Sequence, residues 1–311
     1  MSDRKEAKSF SRFGYIMVAA GAAIGLGNIW KFPYLAYGDG GGAFVLIYIV
    51  ICILLGHPIV QAEQAVGRRG RASAAASYGV IHPKWRFVGV INIVCTFLID
   101  IYYLVVSGWV LKYFVTYVVS GDFGKDKQAY FDNYISSTTQ PLIYSLVIIA
   151  IIVFFLFFGI TNIVEKASKM IMPMLAVLLL VCGIYALIVV PGAVDGLKYY
   201  FVPDFSKFGM QQFADACMQV CFSVGIGWGI FTTLGASMDK DANLKADAWW
   251  VDICDTFIAL LAGFVIIPTV VGTGSEMSSG PSLVFVAMTQ IFETLPGGRI
   301  IGIFFFASLI F

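Results

Sequence analysis

Residues 21–33 read Gly-Ala-Ala-Ile-Gly-Leu-Gly-Asn-Ile-Trp-Lys-Phe-Pro, and this stretch decides how the chain folds. It lies inside an apolar run at 13–37, and about 20 apolar residues are what a helix needs to cross roughly 30 Å of hydrocarbon. A membrane helix is expected here, but an interrupted one. Gly21, Gly25 and Gly27 weaken its middle, and Asn28 places a coordinating amide where polarity is most costly. Irregular backbone at that depth persists where it is buried in protein or lines a cavity. Two readings stay open at this point. The carbonyls and amides freed by the break can face a small polar ligand, or the small residues can form a face on which two membrane helices approach closely.

Working outward, the composition places the whole chain in a membrane. Of its 311 residues, 59% are hydrophobic and only 13% charged, which excludes an ordinary soluble domain of this length. The net charge of +1 hides an asymmetry. Arg4, Lys5, Lys8 and Arg12 precede the first apolar run, and Arg68, Arg69, Arg71, Lys84 and Arg86 follow the second without an acid among them. These ends are expected to be cytoplasmic, with the chain in the plasma membrane and crossing it several times. Topology explains the basic loop better than nucleic-acid binding does. The first apolar run is too long for a cleavable signal. The six cysteines, Cys52, Cys95, Cys182, Cys217, Cys221 and Cys254, have no metal-ligand spacing and read as small buried hydrophobes. His57 and His82 each precede a proline, which favours a kink or loop role over a proton relay.

Eight apolar segments are expected, at 13–37, 43–66, 87–119, 142–158, 170–190, 213–236, 248–273 and from 300 onward. The third exceeds what a bilayer needs and predicts tilt or an extension past the surface. Residues 195–208, with Gly196, Pro203 and several aromatics, suit a short outer helix and turn. Between 274 and 299 a Ser, Gly and Pro-rich stretch surrounds an apolar core at 283–292, too short to cross, and predicts a re-entrant or surface hairpin. A faint repeat links segments one and six: Ser223-Val224-Gly225-Ile226-Gly227-Trp228-Gly229 interrupts an apolar run with glycine at the spacing of Gly25 and Gly27. A pair of broken segments in corresponding positions is the strongest sequence pointer to a transport site.

Those residues, with Gly40-Gly41-Gly42-Ala43-Phe44 opening segment two and Ile101-Tyr102-Tyr103 in segment three, resemble the neurotransmitter:sodium symporters in their bacterial amino-acid-transporting branch. The resemblance covers essentially the whole chain. It implies an all-α integral membrane protein with the inverted five-helix-repeat, leucine-transporter-type fold, truncated in the eighth helix. Residues 1–190 would be the first repeat and 191–311 an incomplete second. The implied function is sodium-coupled symport of an amino acid into the cell by the full-length chain, and the alternative is a non-transporting binding or assembly subunit of the same fold. No nucleophile and base pair or metal-ligand cluster supports an enzyme. The implied partners are the amino acid, sodium and the bilayer, with room for a homo-oligomer and with no organic cofactor or nucleic acid.

Carried over residue by residue, the resemblance puts a first sodium on the Ala23 carbonyl, Asn28, Ser223 and Asp255, all oxygen donors suited to a hard cation. The carbonyls of Gly21 and Ile24 would be half of a second sodium site. The substrate carboxylate would meet the Tyr103 hydroxyl and amides near Gly25 and Gly27, and its ammonium would face carbonyls around Phe222 and Gly225. Ile99 and Trp228 would line the side-chain space, and Phe222 would close it from outside. Glycine at position 25, where the family's monoamine carriers have aspartate, implies a substrate bringing its own carboxylate. Lys31 stands where the family has an outer-gate arginine, which keeps the charge without the bidentate fork. The inner-gate tryptophan is absent, Phe10 being the nearest aromatic. About 12 residues remain in the last segment, reaching roughly 18 Å, so it does not span. Residues 1–311 alone are then expected not to transport. Chloride is not expected as a co-ion: Tyr48, Gln219 and Ser223 match the chloride ligands of animal members, but Ala259 replaces a serine and Asp255 replaces a neutral asparagine.

Overall fold

The computed structural model describes residues 10–158, 160–239, 241–274 and 282–310. Arg4, Lys5 and Lys8, used above for orientation, lie outside the described residues. Helix α1, Arg12–Ala23, is capped by the Ser11 hydroxyl, which accepts from the Gly14 amide. It stops at Ile24, where the backbone turns extended. The chain resumes as a wide turn over Gly27–Lys31 and α2, Phe32–Gly38, bent 59° from α1. The break thus falls inside residues 21–33.

Helices α3, Gly42–Ile51, and α4, His57–Gly70, form one span through a wide turn at Cys52–Gly56. Short α5, Ala74–Ile81, crosses to α6, Arg86–Val119, an unbroken helix of 34 residues. Then follow α7, Lys127–Ser136, α8, Thr139–Phe158, α9, Ile160–Val189, and α10, Ala193–Phe201. The second broken element is α11, Met210–Val224, and α12, Ile230–Ala236. Helix α13, Leu244–Thr273, α14, Thr289–Thr294, and α15, Gly298–Ile310, complete the order. Among the described residues four helices are long and apolar enough to cross a membrane, and two bent pairs extend the number to six. The protein is a multi-pass, all-α membrane protein.

Several expectations change in detail. The fifth expected segment is α9, which starts at Ile160, ten residues before the apolar run expected at 170, because Glu165, Lys166 and Lys169 break the hydropathy but not the helix. Glu165 and Lys169 pair one turn apart at 2.6 Å, and the Ser11 hydroxyl donates to the same carboxylate. The short outer helix expected at 195–208 is α10 with a turn at Phe205–Lys207. Its chain packs on the glycine turn between α2 and α3: the Tyr199 carbonyl sits where a side chain at Gly41 would start, and Gly41 bridges Pro203. That close approach, with φ of 57° at Gly41, explains the glycine run.

Residues 275–281 of the expected hairpin lie outside the described residues; the described remainder is helical, and a surface location for its apolar core is wrong. Leu283–Met288 is largely buried and α14 buries Thr289, Ile291 and Phe292, with Phe285 and Phe306 (α15) fully enclosed beside Tyr113, Tyr117 and Phe131. The aromatic content of this stretch outweighs its loop-like flanks. Arg299 fastens the hairpin by donating to the carbonyls of Tyr117, Val118 and Val119 at the end of α6. Burial of all six cysteines is also corrected. Cys52 and Cys182 are buried, but Cys95 and Cys221 are exposed. In a membrane chain the outer faces of α6 and α11 are apolar too, so an apolar run does not tell inside from outside.

Candidate functional site

The two broken helices meet α13 at a fully buried cluster of oxygen and amide groups. Asn28 donates from Nδ2 to Asp255 Oδ1 at 2.7 Å and to the Asp255 carbonyl at 3.2 Å. Ser223 Oγ donates to Asp255 Oδ2 at 2.9 Å. Asn28 Oδ1 accepts from the Gly25 amide at 3.1 Å, so the asparagine spans the break in its own helix. Gln219 donates to the Gly27 carbonyl at 3.1 Å, tying α11 to the first break. Asn28, Gln219, Asp255, Tyr48 and Ala259 are all fully buried. The donor set of amide, hydroxyl, carboxylate and backbone carbonyl suits a hard monovalent cation.

The second break is a glycine loop. Gly225, Gly227 and Gly229 all adopt positive φ, between 72° and 81°, which ends α11 and restarts the chain as α12. Side chains that the sequence did not single out hold this loop. Glu63 of α4 accepts from the Gly227 amide at 2.8 Å. Asn92 of α6, with its amide oriented to satisfy both ends, donates to the Gly227 carbonyl at 3.0 Å. Thr96 donates to the Trp228 carbonyl at 2.5 Å. The only hint in the sequence was polarity at membrane depth inside otherwise apolar segments.

The remaining site residues fall around these two breaks. The Tyr103 ring meets Trp228 edge on at 6.3 Å, and Trp228 meets Phe222 at 5.6 Å. A side chain at Gly25 would begin 3.5 Å from the Tyr103 hydroxyl, and one at Gly27 would collide with the Phe222 ring. Ile99 is half-buried one turn before Tyr103 on α6. Lys31 Nζ stands 4.3 Å from the Phe222 ring centre, so the two residues assigned to gating touch through a cation–π contact. Ala23 and Ile24 sit at the end of α1, where a helix leaves carbonyls without amide partners. Gly21 faces Met172 of α9.

The two histidines resolve differently. His82 caps the turn at Pro83–Trp85, its ring accepting from the Lys84 amide, as a loop residue does. His57 follows the wide turn in the α3–α4 span, and it also pairs with Asp252 at 2.8 Å and stacks on Trp249 at 4.0 Å. At the opposite end of α1, Arg12 donates to buried Asp247 of α13 at 2.8 Å.

With this geometry in place, the chain matches the sequence pattern of the sodium:neurotransmitter symporter family over residues 7–121 and 131–311. It belongs to that family. An uncharacterized sodium-dependent transporter of Haemophilus influenzae is 33% identical over 315 residues, covering 96% of this chain and 69% of the relative. A second, from Bacillus subtilis, is 33% identical over 316 residues, covering all of this chain and 70% of the relative. The mouse sodium- and chloride-dependent creatine transporter is 27% identical over 357 residues, and the match takes in 55% of its length. Among solved structures, MhsT in complex with L-phenylalanine superposes with a TM-score of 0.91 at 35% identity, covering 98% of this chain and 70% of that one. The fold is thus of the leucine-transporter type and shorter than its full extent. Family membership places the protein in a class of sodium-coupled membrane transporters, which is not a class of enzymes.

Proposed function

We propose that the chain carries the binding core of a sodium-coupled symporter that brings an amino acid into the cell, with its N-terminus in the cytoplasm. Sodium dependence in bacterial relatives and an amino acid bound in a similar fold support the reading. The observation that carries it is the Asn28, Ser223 and Asp255 cluster set between two broken helices, beside the Tyr103 hydroxyl. Sodium would sit among Ala23, Asn28, Ser223 and Asp255, and the substrate carboxylate would lie between sodium and Tyr103. The Gly25 amide is engaged by Asn28, so reaching the carboxylate exchanges that bond. The ammonium would face carbonyls near Phe222 and Gly225, with Ile99 and Trp228 along the side chain. Phe222 and Lys31 would form the outer gate, and Gly21 and Ile24 would contribute to a second sodium site. The inverted repeats would divide near residue 190.

A shared sodium and substrate site makes the two affinities reciprocal. Replacing sodium by potassium should weaken amino-acid binding by about tenfold or more, within the usual span of such couplings. Calorimetric titration in each salt measures this. Equal affinity in the two salts would remove the shared-site reading.

Chloride is a second point of prediction. The Ser223 hydroxyl already donates to Asp255, and Ala259 offers no hydroxyl one turn further on. An anion placed there would face the Asp255 carboxylate, and two unit charges 4 Å apart repel by about 4 kcal/mol at an effective dielectric near 20. Exchanging chloride for gluconate should leave uptake by the full chain unchanged. Asp255→Asn with Ala259→Ser should make uptake respond to chloride. A native protein that stops in gluconate contradicts the assignment.

A further inference from the structure

We propose that the transported amino acid has a cationic side chain, and that Asp100 is the residue that recognises it. This rests on the amino-acid site described above and names its substrate class. Helix α6 presents one stripe to that site. Asn92 and Thr96 bind the carbonyls of Gly227 and Trp228, and Tyr103 meets the Trp228 ring and the space at Gly25. Asp100 follows Thr96 by four residues and precedes Tyr103 by three, so both are its neighbours on the helix surface. It occupies the middle of a 34-residue membrane helix and is itself exposed, at the edge between this stripe and the apolar, exposed positions Ile93, Phe97, Leu98 and Ile101.

A carboxylate at membrane depth needs a partner or a polar cavity, and by default it marks a functional position. Among the described residues no hydrogen bond or ion pair engages Asp100. Two lysines of the membrane elements, Lys31 and Lys112, are engaged by aromatic rings. Lys31 rests over Phe222. Lys112 lies 12 positions along α6, about 18 Å at 1.5 Å per residue, and is ringed by Tyr130, Tyr134 and Tyr144 at 6.0, 6.0 and 5.6 Å. The missing positive charge is therefore assigned to the ligand.

The surroundings suit such a ligand. Tyr102, Tyr103, Trp228 and Phe222 form a continuous run of rings at 5.8, 6.3 and 5.6 Å, and aromatic faces attract ammonium and guanidinium groups. Three helical residues separate Tyr103 from Asp100, about 4.5 Å along the axis. With the substrate head group at Tyr103, the methylene chain of lysine or arginine would run along this wall and bring its charge to the Asp100 carboxylate.

The test is calorimetric titration of the purified full chain in sodium with L-lysine, L-arginine, L-leucine and L-phenylalanine, repeated for Asp100→Glu and Asp100→Asn. The native protein should bind lysine or arginine at least tenfold more tightly than leucine. Asp100→Glu, which keeps the charge, should keep that order, and Asp100→Asn should reverse it by weakening the basic ligands and admitting the apolar ones. Sodium-dependent binding of leucine or phenylalanine in preference to the basic ligands overturns the role of Asp100 while leaving the amino-acid site standing. Unchanged lysine affinity in Asp100→Asn does the same. Absence of binding by any amino acid in sodium overturns both readings.

Discussion

Replacing Asp255 with alanine should lower sodium affinity about a hundredfold and carry amino-acid affinity down with it. Asp255 is fully buried and accepts from Asn28 on one carboxylate oxygen and Ser223 on the other. Hydrogen bonds to a charged group contribute about 1.5–3 kcal/mol each. The two bonds at the low end of that range, before the cation's fixed counter-charge is counted, amount to about 3 kcal/mol, a hundredfold at roughly 1.4 kcal/mol per decade. Asp255→Asn keeps the shape and one acceptor oxygen, so its loss should be smaller. Sodium titration followed by thermal shift measures both, since a ligand that binds only the folded state raises its melting temperature. Unaltered sodium dependence in Asp255→Ala would place the cation elsewhere.

Gly235→Val should cost stability on a comparable scale, for a steric reason. Helices α4 and α12 touch backbone to backbone: a side chain at Gly235 would begin 2.5 Å from the Gln64 carbonyl oxygen, and one at Gly67 would overlap the Thr232 carbonyl. A clash with main chain cannot be relieved by a rotamer change, and overpacking of this kind costs about 3 kcal/mol or more. For a chain of this size that is roughly 10 °C in melting temperature. The same displacement would move the Gly225 to Gly229 loop away from Glu63, Asn92 and Thr96, so substrate affinity should fall as well. Gly38→Ala is the control, because nothing lies within 4 Å of a side chain there. A melting temperature for Gly235→Val equal to that of Gly38→Ala would show that the two helices are not so closely locked.

Both expectations depend on contacts between segments far apart in the chain, and this separates what is local from what is not. Interruption of the first and sixth segments is encoded within a dozen residues each, by glycine and asparagine set into apolar runs. The long helices α6 and α13 are likewise continuous stretches of hydropathy. The hairpin expected around 283–292 misled for the converse reason. Its length and its Gly and Pro flanks are those of a surface turn, whereas Phe285 is buried by aromatic partners on α6 and α15, which no local pattern names.

By itself, then, the sequence determined that the chain is a multi-pass, all-α membrane protein with two broken helices. It also marked Asn28 as a coordinating amide placed at membrane depth, while Ser223 and Asp255 were singled out only through the family resemblance. Hydropathy, helix propensity and the cost of buried polarity act on a residue and its near neighbours, so they can be read along the chain. Only the tertiary structure decided which polar atoms meet. Asn28 and Asp255 are separated by 227 positions, Glu63 and Gly227 by 164, and Arg12 and Asp247 by 235. Whether Glu63 holds a loop and whether His57 finds Asp252 depend on how whole helices rotate and pack against one another. Packing angles follow from many side chains at once, and no single stretch carries that information.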